Sequence, residues 1–318
     1  MRGEIDAVVV GAGPAGSAAA ATMAQAGLTV VLLGGGDKSR WVETVPPDIA
    51  TLLPDLGLPQ ALVRSVGGAC RQSSGHPAFH VDRAAFDALL RNAACRAGAT
   101  LYDRRAVGVI RRAGRIEGVR TDRAEMLPCR MVIDASGSRA WLARQLGERT
   151  QTLSPPLRAW RGEIASIHDG MADDAARFAP RPDGWLFLAT WRGRTTWTVM
   201  GRGPRRPDLA PFGQTTRPAA WDVTWRLARP VAGRGWLLAG DAAGRLDPAW
   251  GQGLLSAVAS GIAAGRTAVA CLADRASEAL YLAAYDGWFA DRIHDAAAIL
   301  RQRYADHGID LAAERAAA

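Results

Sequence analysis

The sequence predicts an α/β protein in which a doubly wound lobe with a parallel sheet is joined to a smaller, sheet-rich lobe. Three observations predict this class. A glycine-rich turn joins an apolar strand to an alanine-rich helix near the start of the chain, and a second strand–loop–helix segment begins at Trp236. Between them, residues 155–235 are interrupted by prolines and glycines and carry most of the tryptophans. Strands alternating with helices are typical of parallel sheets, whereas short strands broken by turn residues are typical of an antiparallel layer.

Length and composition are compatible with this division. The chain has 318 residues, of which 48% are hydrophobic and 22% charged. That is enough for one large core or two joined lobes. We predict that residues 1–152 form the first part of the doubly wound lobe and residues 153–235 the sheet-rich lobe. Residues 236–318 complete the first lobe and end in an amphipathic helix over Glu278 to about Tyr304.

Several classes of protein are disfavoured by the same sequence. No run of 18 apolar residues occurs, so we expect no membrane span. A strand-like run begins at Ile5 and leaves no room for a secretion signal, so we expect a cytoplasmic protein. The net charge of +8 is scattered over arginines, and no nucleic-acid-binding module is visible. The four cysteines lie far apart without a CxxC pair, which argues against a metal site or a disulfide framework.

The first strand and helix carry a dinucleotide-binding fingerprint. Gly11, Gly13 and Gly16 satisfy the GxGxxG pattern between an apolar strand and an alanine-rich helix. The first glycine permits a tight turn, the second lets the backbone approach a pyrophosphate, and the third lets helix and strand pack closely. The helix N-terminus then presents free N–H groups to the phosphates. We predict that this loop, with Pro14 and Ala15, binds the pyrophosphate.

The second predicted strand, Leu28–Leu33, ends without the expected acid. A carboxylate about 20 residues beyond the fingerprint usually binds the ribose hydroxyls, but Gly34 stands there. Asp37 could reach back from the loop, or the ribose could be bound without a carboxylate. Lys38 or Arg40 could instead contact a phosphate, or residues 34–40 could be a loop without a ligand. The sequence leaves these alternatives open.

The elements that follow continue the two lobes. Asp82 is placed to cap a helix that ends near Gly98, and short strands are predicted around residues 101–110, 116–121 and 131–133. In the tryptophan-rich stretch, residues 185–190 and 195–200 are predicted to form a hairpin.

A second motif decides which dinucleotide is bound. Gly240-Asp241 follows a short apolar strand, and Asp247-Pro248 and Gly251-Gln252-Gly253 then precede a helix rich in small residues. This GD…DP…GxG spacing resembles the FAD-dependent hydroxylases of the p-hydroxybenzoate hydroxylase fold. The resemblance implies a Rossmann-type FAD-binding lobe with a sheet-rich substrate lobe. It also implies that Asp241 holds the ribityl chain, that Pro248 flanks the flavin ring, and that residues 251–254 supply N–H groups to the flavin. A helix N-terminus suits the negative charge of a reduced flavin.

A third motif narrows the resemblance. The run from Asp134 to Gly137, DASG, resembles a segment of flavin-dependent halogenases and their relatives, and the segments Glu43–Pro47 and His80–Asp87 are similar to the same branch. That branch includes monooxygenases that modify tryptophan, free or within a protein. The family's aromatic hydroxylases usually carry a DG motif here that is associated with NAD(P)H use. Reduction by NAD(P)H and reduction by a separate flavin reductase therefore both stay open.

Halogenation is disfavoured by two features. The halogenases relay hypochlorous acid through a lysine near the substrate, and the only lysine here, Lys38, follows the second strand at the adenosine end of the expected site. Their tryptophan–proline signature, WxWxIP, is also absent.

The predicted cofactor contacts extend over these motifs and the segments similar to this branch. They are Gly11, Gly13, Pro14, Ala15, Gly16, Asp37, Arg40, Arg83, Val107, Asp134, Gly137, Gly240, Asp241, Pro248, Gly251, Gln252, Gly253 and Leu254.

The substrate side is less determined. Five tryptophans could line an aromatic pocket or belong to the core of the sheet: Trp185, Trp191, Trp197, Trp221 and Trp225. Candidate general bases are three histidines, chosen by residue type, and one acid whose motif is expected near the flavin: His76, His80, His168 and Glu43. The sequence assigns none of them a catalytic role.

The leading hypothesis is an FAD-dependent monooxygenase that uses molecular oxygen to hydroxylate an aromatic substrate of indole or phenol type, free or carried on a protein. One alternative is a flavin oxidase or dehydrogenase that abstracts hydride. Another is a maturation factor that docks a partner and modifies a tethered residue. A structural role without flavin is the remaining alternative.

Overall fold

The computed structural model describes residues 4–35, 41–72, 75, 77–164, 171–202, 218–309 and 311. The helices are α1 Pro14–Gln25, α2 Leu62–Ser65, α3 Arg83–Ala97, α4 Trp141–Leu146, α5 Gly253–Ala273 and α6 Glu278–Asp306. The strands up to the start of α4 are β1 Ile5–Val10, β2 Val30–Leu33, β3 Val42–Val45, β4 Gly67–Gln72, β5 Pro77–Asp82, β6 Thr100–Tyr102, β7 Ala106–Arg112, β8 Arg115–Thr121 and β9 Met126–Asp134. The later strands are β10 Arg149–Thr152, β11 Leu157–Ile164, β12 Ala175–Arg181, β13 Gly184–Trp191, β14 Arg194–Arg202, β15 Ala219–Asp222, β16 Arg226–Arg229, β17 Ala232–Gly233, β18 Trp236–Leu238 and β19 Gly244–Arg245.

The first sheet is the parallel one that the fingerprint predicts. Its strand order is β17-β18-β9-β1-β2-β6, and β1 runs parallel to both β2 and β9. A β7–β8 hairpin extends this sheet through β9. The last four residues of the central strand β1 are buried, as expected of a parallel sheet that is covered by helices. The α/β class with a Rossmann-type lobe is confirmed.

The second sheet is larger than its predicted segment. Its order is β15-β11-β14-β13-β12-β4-β5-β3, and all pairings are antiparallel except β12 with β4. Strands β3, β4 and β5 come from residues 42–82, which the sequence places in the first lobe. The chain therefore enters the second sheet before it returns to the first at α3. Periodicity along the chain does not show this, because strand pairing is a long-range property.

Local signals predicted the helix ends well. The carboxylate of Asp82 accepts a hydrogen bond from the Ala85 N–H at 3.0 Å and caps α3, which ends at a left-handed Gly98. The predicted strand over residues 101–110 is divided into β6 and β7 by a turn at residues 103–105. The final helix extends to Asp306.

Helices α1 and α5 pack closely because small residues line their contact. A side chain at Gly261 would overlap the carbonyl oxygen of Ala15. Helix α5 is also long and apolar enough to cross a membrane, and it is the one described helix with that property. Half of its apolar segment is buried inside the protein, and its contacts with α1 identify it as a core helix.

We expect Gly261→Ala to lower the free energy of unfolding by about 1–3 kcal/mol, because overpacking a close contact forces backbone shifts. The control is Gly287→Ala on α6, where nothing lies within 4 Å of the added carbon. That change should stabilise the helix by up to about 1 kcal/mol. Urea denaturation of both variants measures the effect, and equal stability of Gly261→Ala and the parent would contradict the close packing.

Candidate functional site

An open cavity of about 1970 Å³ lies between the first and second sheets, and strands β10, β16 and β19 form a third, small sheet. One wall comes from the carboxyl ends of β1 and β2, and another from the segment that joins β18 to α5. Residues of β3, β11, β13 and β14 line the side formed by the second sheet. In doubly wound proteins ligands bind outside the carboxyl ends of the parallel strands. This cavity is therefore the candidate site.

The glycine fingerprint lies at the edge of this cavity. Gly11, Gly13, Pro14 and Ala15 line it at the N-terminus of α1. Gly16 lies behind the loop, where a side chain would overlap the carbonyl oxygen of Gly11. The third glycine therefore serves the close packing of helix on strand rather than contact with a ligand.

The second motif lines the cavity as well. Gly240 and Asp241 form a short 3-10 turn after β18, and Pro248 begins another. Residues 251–254 then lead into α5, and all of these positions face the cavity. Asp241 is exposed to the cavity, where desolvation by the surrounding walls raises its pKa and the cation of Arg245 partly counters this effect.

The buried carboxylate of Asp247 holds the second motif in place through hydrogen bonds. It is 1% exposed, and its Oδ2 accepts hydrogen bonds from the Trp225 indole at 2.6 Å and the Tyr304 hydroxyl at 2.9 Å. Its Oδ1 accepts from the Ala249 N–H at 2.8 Å. The Trp185 indole donates to the same Tyr304 hydroxyl at 2.6 Å. The carboxylate thus joins the second motif to α6, and Tyr304 extends the network to Trp185 of the second sheet.

Besides Gly16, two predicted contacts lie outside the lining of the cavity. Asp134 is fully buried, and its carboxylate accepts from the N–H groups of Ser136 at 2.9 Å and Leu142 at 2.7 Å. Asp134 therefore stabilises the loop over residues 135–142 and does not line the cavity. Gly137, in the same loop, does line it. Val107 is 42% exposed and lies outside the cavity, whereas its neighbour Ala106 lines it. Successive side chains of a strand face opposite sides, so a shift of one residue changes the contact.

The end of β2 explains why the expected acid is missing. A side chain at Gly34 would come within 2.7 Å of the Ala12 Cβ in the glycine loop. The next residue, Gly35, lies so close to Asp103 that a side chain there would overlap the Asp103 carboxylate. Asp103 lines the cavity from the turn between β6 and β7. The predicted candidates at this end, Asp37, Lys38 and Arg40, lie outside the described residues.

A group of paired charges forms part of the cavity wall. Arg83 donates to Glu43 at 2.8 Å and makes two hydrogen bonds to Asp87, each of 3.0 Å. The Nη1 of Arg161 lies 3.8 Å from the same Glu43 oxygen. Burial acts to raise the pKa of Glu43, but Arg83 and Arg161 outweigh it and hold the pKa below its ordinary value. Glu43 is therefore an ionised ion-pair partner and a weak base.

Within the part of the chain that the structure describes, the histidine candidate His80 does not supply a base. His80 is fully buried, its Nδ1 lies 3.1 Å from the Thr44 hydroxyl, and it does not line the cavity. Burial lowers the pKa of His80 to about 4. His76 and His168 lie outside the described residues. His307, near the end of α6, lines the cavity, and no sequence signal distinguished it.

The tryptophans divide between pocket and core. Trp221 is half-buried and lines the cavity, Trp185 borders the cavity but is only 1% exposed, and Trp191, Trp197 and Trp225 lie outside it. Sequence reasoning missed three further lining tryptophans, Trp41, Trp141 and Trp250. Each could have been found from its neighbours, because Trp41 precedes Glu43 by two residues, Trp141 closely follows the DASG motif and Trp250 lies inside the second motif. Among the described residues, no group of three or more His, Cys, Asp or Glu could hold a metal.

Comparisons with known proteins agree with this architecture. A family model described as tryptophan halogenase matches residues 60–195, and one described as glucose inhibited division protein A matches residues 6–54. The digeranylgeranylglycerophospholipid reductase of Methanothrix thermoacetophila is 30% identical over 302 residues, which cover 82% of this chain and 76% of the relative. The chain belongs to the family of FAD-dependent oxidoreductases that includes these halogenases and reductases.

Two solved structures show the same fold as this FAD-dependent oxidoreductase. The flavin-dependent brominase Bmp2 superposes with a TM-score of 0.75 at 18% identity and covers 90% of this chain and 83% of its own. The peptidyl tryptophan dihydroxylase QhpG, essential for tryptophylquinone cofactor biogenesis, superposes with a TM-score of 0.74 at 24% identity. It covers 96% of this chain and 74% of its own.

The residues of the cavity fit an FAD molecule. At Gly13, Gly251 and Gly253, no other part of the described chain lies within 4 Å of the point where a side chain would begin. The backbone at the N-terminus of α1 and at the start of α5 is therefore open to a ligand. Helix N-termini with free N–H groups favour anionic groups such as a pyrophosphate.

Proposed function

We propose that this FAD-dependent oxidoreductase is a monooxygenase that hydroxylates an aromatic substrate of indole or phenol type, free or carried on a protein. The observation that carries the proposal is that one cavity joins the two FAD motifs to a sheet face lined by aromatic side chains. Phe178, Phe187 and Trp221 contribute to that face. Such walls suit a flat apolar ring, and polar groups among them can orient it. The solved tryptophan dihydroxylase with the same fold also favours this chemistry.

The cofactor would be held along the length of the cavity. The loop from Gly13 to Ala15 would bind the pyrophosphate, and Asp241 would bind the ribityl chain. Residues 251–254 would donate N–H groups to the flavin, which Pro248 would flank. At the adenosine end, Asp103 would accept hydrogen bonds from the ribose hydroxyls in place of an acid at Gly34. When bound, FAD supplies the two-electron redox chemistry and the activation of oxygen.

The protein's own contribution is binding, orientation and exclusion of water. An electron-rich ring held rigidly beside the flavin gains most of its rate from position. We assign no general base, since Glu43 has a lowered pKa and His80 lies outside the cavity. The electron source would be NAD(P)H or a separate flavin reductase, and the protein would act in the cytoplasm.

The test is a single-turnover reaction with isotopically labelled dioxygen. The FAD-loaded protein is reduced with dithionite, freed of excess reductant, and mixed with labelled oxygen and a panel of indoles and phenols. We expect one labelled oxygen atom in an aromatic product. The variant Trp221→Ala should form less product, and Trp191→Ala, which changes a tryptophan outside the cavity, should behave like the parent. Release of peroxide alone with every aromatic would contradict the proposal.

The second candidate is a reductase of an isoprenoid lipid. The observation that favours it is the 30% identity to a digeranylgeranylglycerophospholipid reductase. Without oxygen, the reduced protein would then be reoxidised by a geranylgeranyl lipid and would saturate one of its double bonds. Reoxidation by the lipid without any aromatic oxygenation would select this function over the first.

A further inference from the structure

We propose that Arg161, Trp41 and Trp221 form a subsite that binds a carboxylate group on a free aromatic substrate. The inference deepens the proposed function, since it adds the charge of the substrate to the aromatic ring already proposed. Arg161 lies on β11, and its side chain is 15% exposed at the cavity wall. Its guanidinium carbon lies 5.6 Å from the ring centroid of Trp41 and 5.6 Å from that of Trp221.

The two rings fix the guanidinium without using its hydrogen-bond donors. Cations bind favourably to the faces of tryptophan rings within about 6 Å, and they bind more strongly where water is excluded. Trp41 comes from the segment before β3, and Trp221 from β15. Arginine is thus held by contacts that leave its planar fork available to a ligand, which is the geometry that matches a carboxylate.

The ion pair with Glu43 does not use all the hydrogen-bond donors of the Arg161 guanidinium. Its Nε donates to the Thr198 hydroxyl at 3.0 Å, but its Nη1 lies 3.8 Å from Glu43 Oε1, beyond normal hydrogen-bond length. That oxygen already accepts from Arg83 at 2.8 Å. Burial lowers the pKa of Arg161 and the cation of Arg83 acts in the same direction, so that the carboxylate of Glu43 offsets the fall only in part. A second carboxylate at this point would therefore stabilise the buried cation.

The position of the subsite selects the kind of substrate. Thr196 and Thr198 of β14 also line the cavity, so polar groups accompany Arg161 between Trp41 and Trp221, while Phe178 and Phe187 line another part of the wall. An aromatic acid would place its ring on the aromatic part and its carboxylate on Arg161. A residue inside a protein chain has amides instead of a carboxylate beside its ring, and a tethered substrate would not need this charge.

The test compares acids with their neutral, nearly isosteric amides. Calorimetric titration of the FAD-loaded protein would use indole-3-acetate against indole-3-acetamide, and 4-hydroxyphenylacetate against 4-hydroxyphenylacetamide. For at least one ring type we expect the acid to bind at least about tenfold more tightly than the amide. Arg161→Met should reduce the ratio to about one, because it removes the charge and keeps an unbranched side chain. Arg161→Lys should keep part of the preference.

The control is Arg158→Met on the same strand. Arg158 is exposed and lies outside the cavity, so its variant should keep the parent's ratio. A merely structural role of Arg161 would weaken acid and amide equally and leave the ratio unchanged. An unchanged ratio in Arg161→Met would overturn the proposal. The proposal would also be overturned if the parent bound neither acid, or if it bound acid and amide equally well. Binding needs no turnover, so an acid preference without oxygenated product would refute the monooxygenase and retain the subsite.

Discussion

Replacing Asp247 with alanine should lower the free energy of unfolding by about 2–4 kcal/mol at pH 7. The change leaves the indole N–H of Trp225 and the hydroxyl of Tyr304 without their acceptor in a buried site. Each unsatisfied buried donor costs about 1–3 kcal/mol. Because the same carboxylate also holds the turn at Pro248 through Ala249, the variant should also bind FAD less tightly.

The pH dependence of this loss identifies its cause. Burial raises the pKa of Asp247 to about 6, and the hydrogen bonds from Trp225, Ala249 and Tyr304 limit the rise. The folded state therefore holds the proton more tightly than the unfolded state. The resulting stabilisation is present at pH below about 4 and is lost as pH rises through 6. The stability difference between parent and variant should be larger at pH 4 than at pH 8, by up to about 3 kcal/mol.

Urea denaturation at several pH values, followed by tryptophan fluorescence, measures both effects. The matched control is Asp291→Ala on α6, an exposed acid outside the cavity. Its effect should stay within about 0.5 kcal/mol at every pH. If the Asp247 variant unfolds like this control, the buried network does not stabilise the fold.

Replacing Asp103 with asparagine should weaken FAD binding about tenfold or more. Hydrogen bonds from ribose hydroxyls to an ionised acceptor are worth about 1.5–3 kcal/mol, and the amide cannot accept from both hydroxyls equally well. The substitution should not change the fold, because Asp103 is exposed in the connection between β6 and β7. The dissociation constant of FAD, measured by quenching of flavin fluorescence, tests this, with stability measured in parallel.

Two other acids separate this role from general charge effects. Asp122 also lines the cavity, but its carboxylate accepts from the backbone and the guanidinium of Arg105, both at 3.1 Å. Asp48 is exposed and outside the cavity. Asp48→Asn should bind FAD like the parent, and Asp122→Asn should have a smaller effect than Asp103→Asn. A larger effect at Asp122 would assign the ribose to that residue instead.

The sequence predicted the features that depend on neighbouring residues. Both FAD motifs are short local patterns, because glycine spacing and helix starts depend on neighbouring residues. They are the turn around Gly11–Gly16 and the segment between Gly240 and Leu254. Their placement along one cavity agrees with the α/β class predicted from the order of elements. The same reason explains why the sequence predicted both the cap of α3 at Asp82 and the end of α3 at Gly98.

Tertiary structure decided the features made by residues far apart in the chain. Gly34 has no side chain because the glycine loop occupies its space, and the acid beside that position, Asp103, comes from a different strand connection. Trp41 and Trp221 meet at Arg161 only because residues 42–82 join the second sheet. Such pairings depend on long-range strand order, which a local pattern does not encode. The sequence by itself determined that the chain would bind FAD, and the packing of its two sheets decided which side chains surround the substrate.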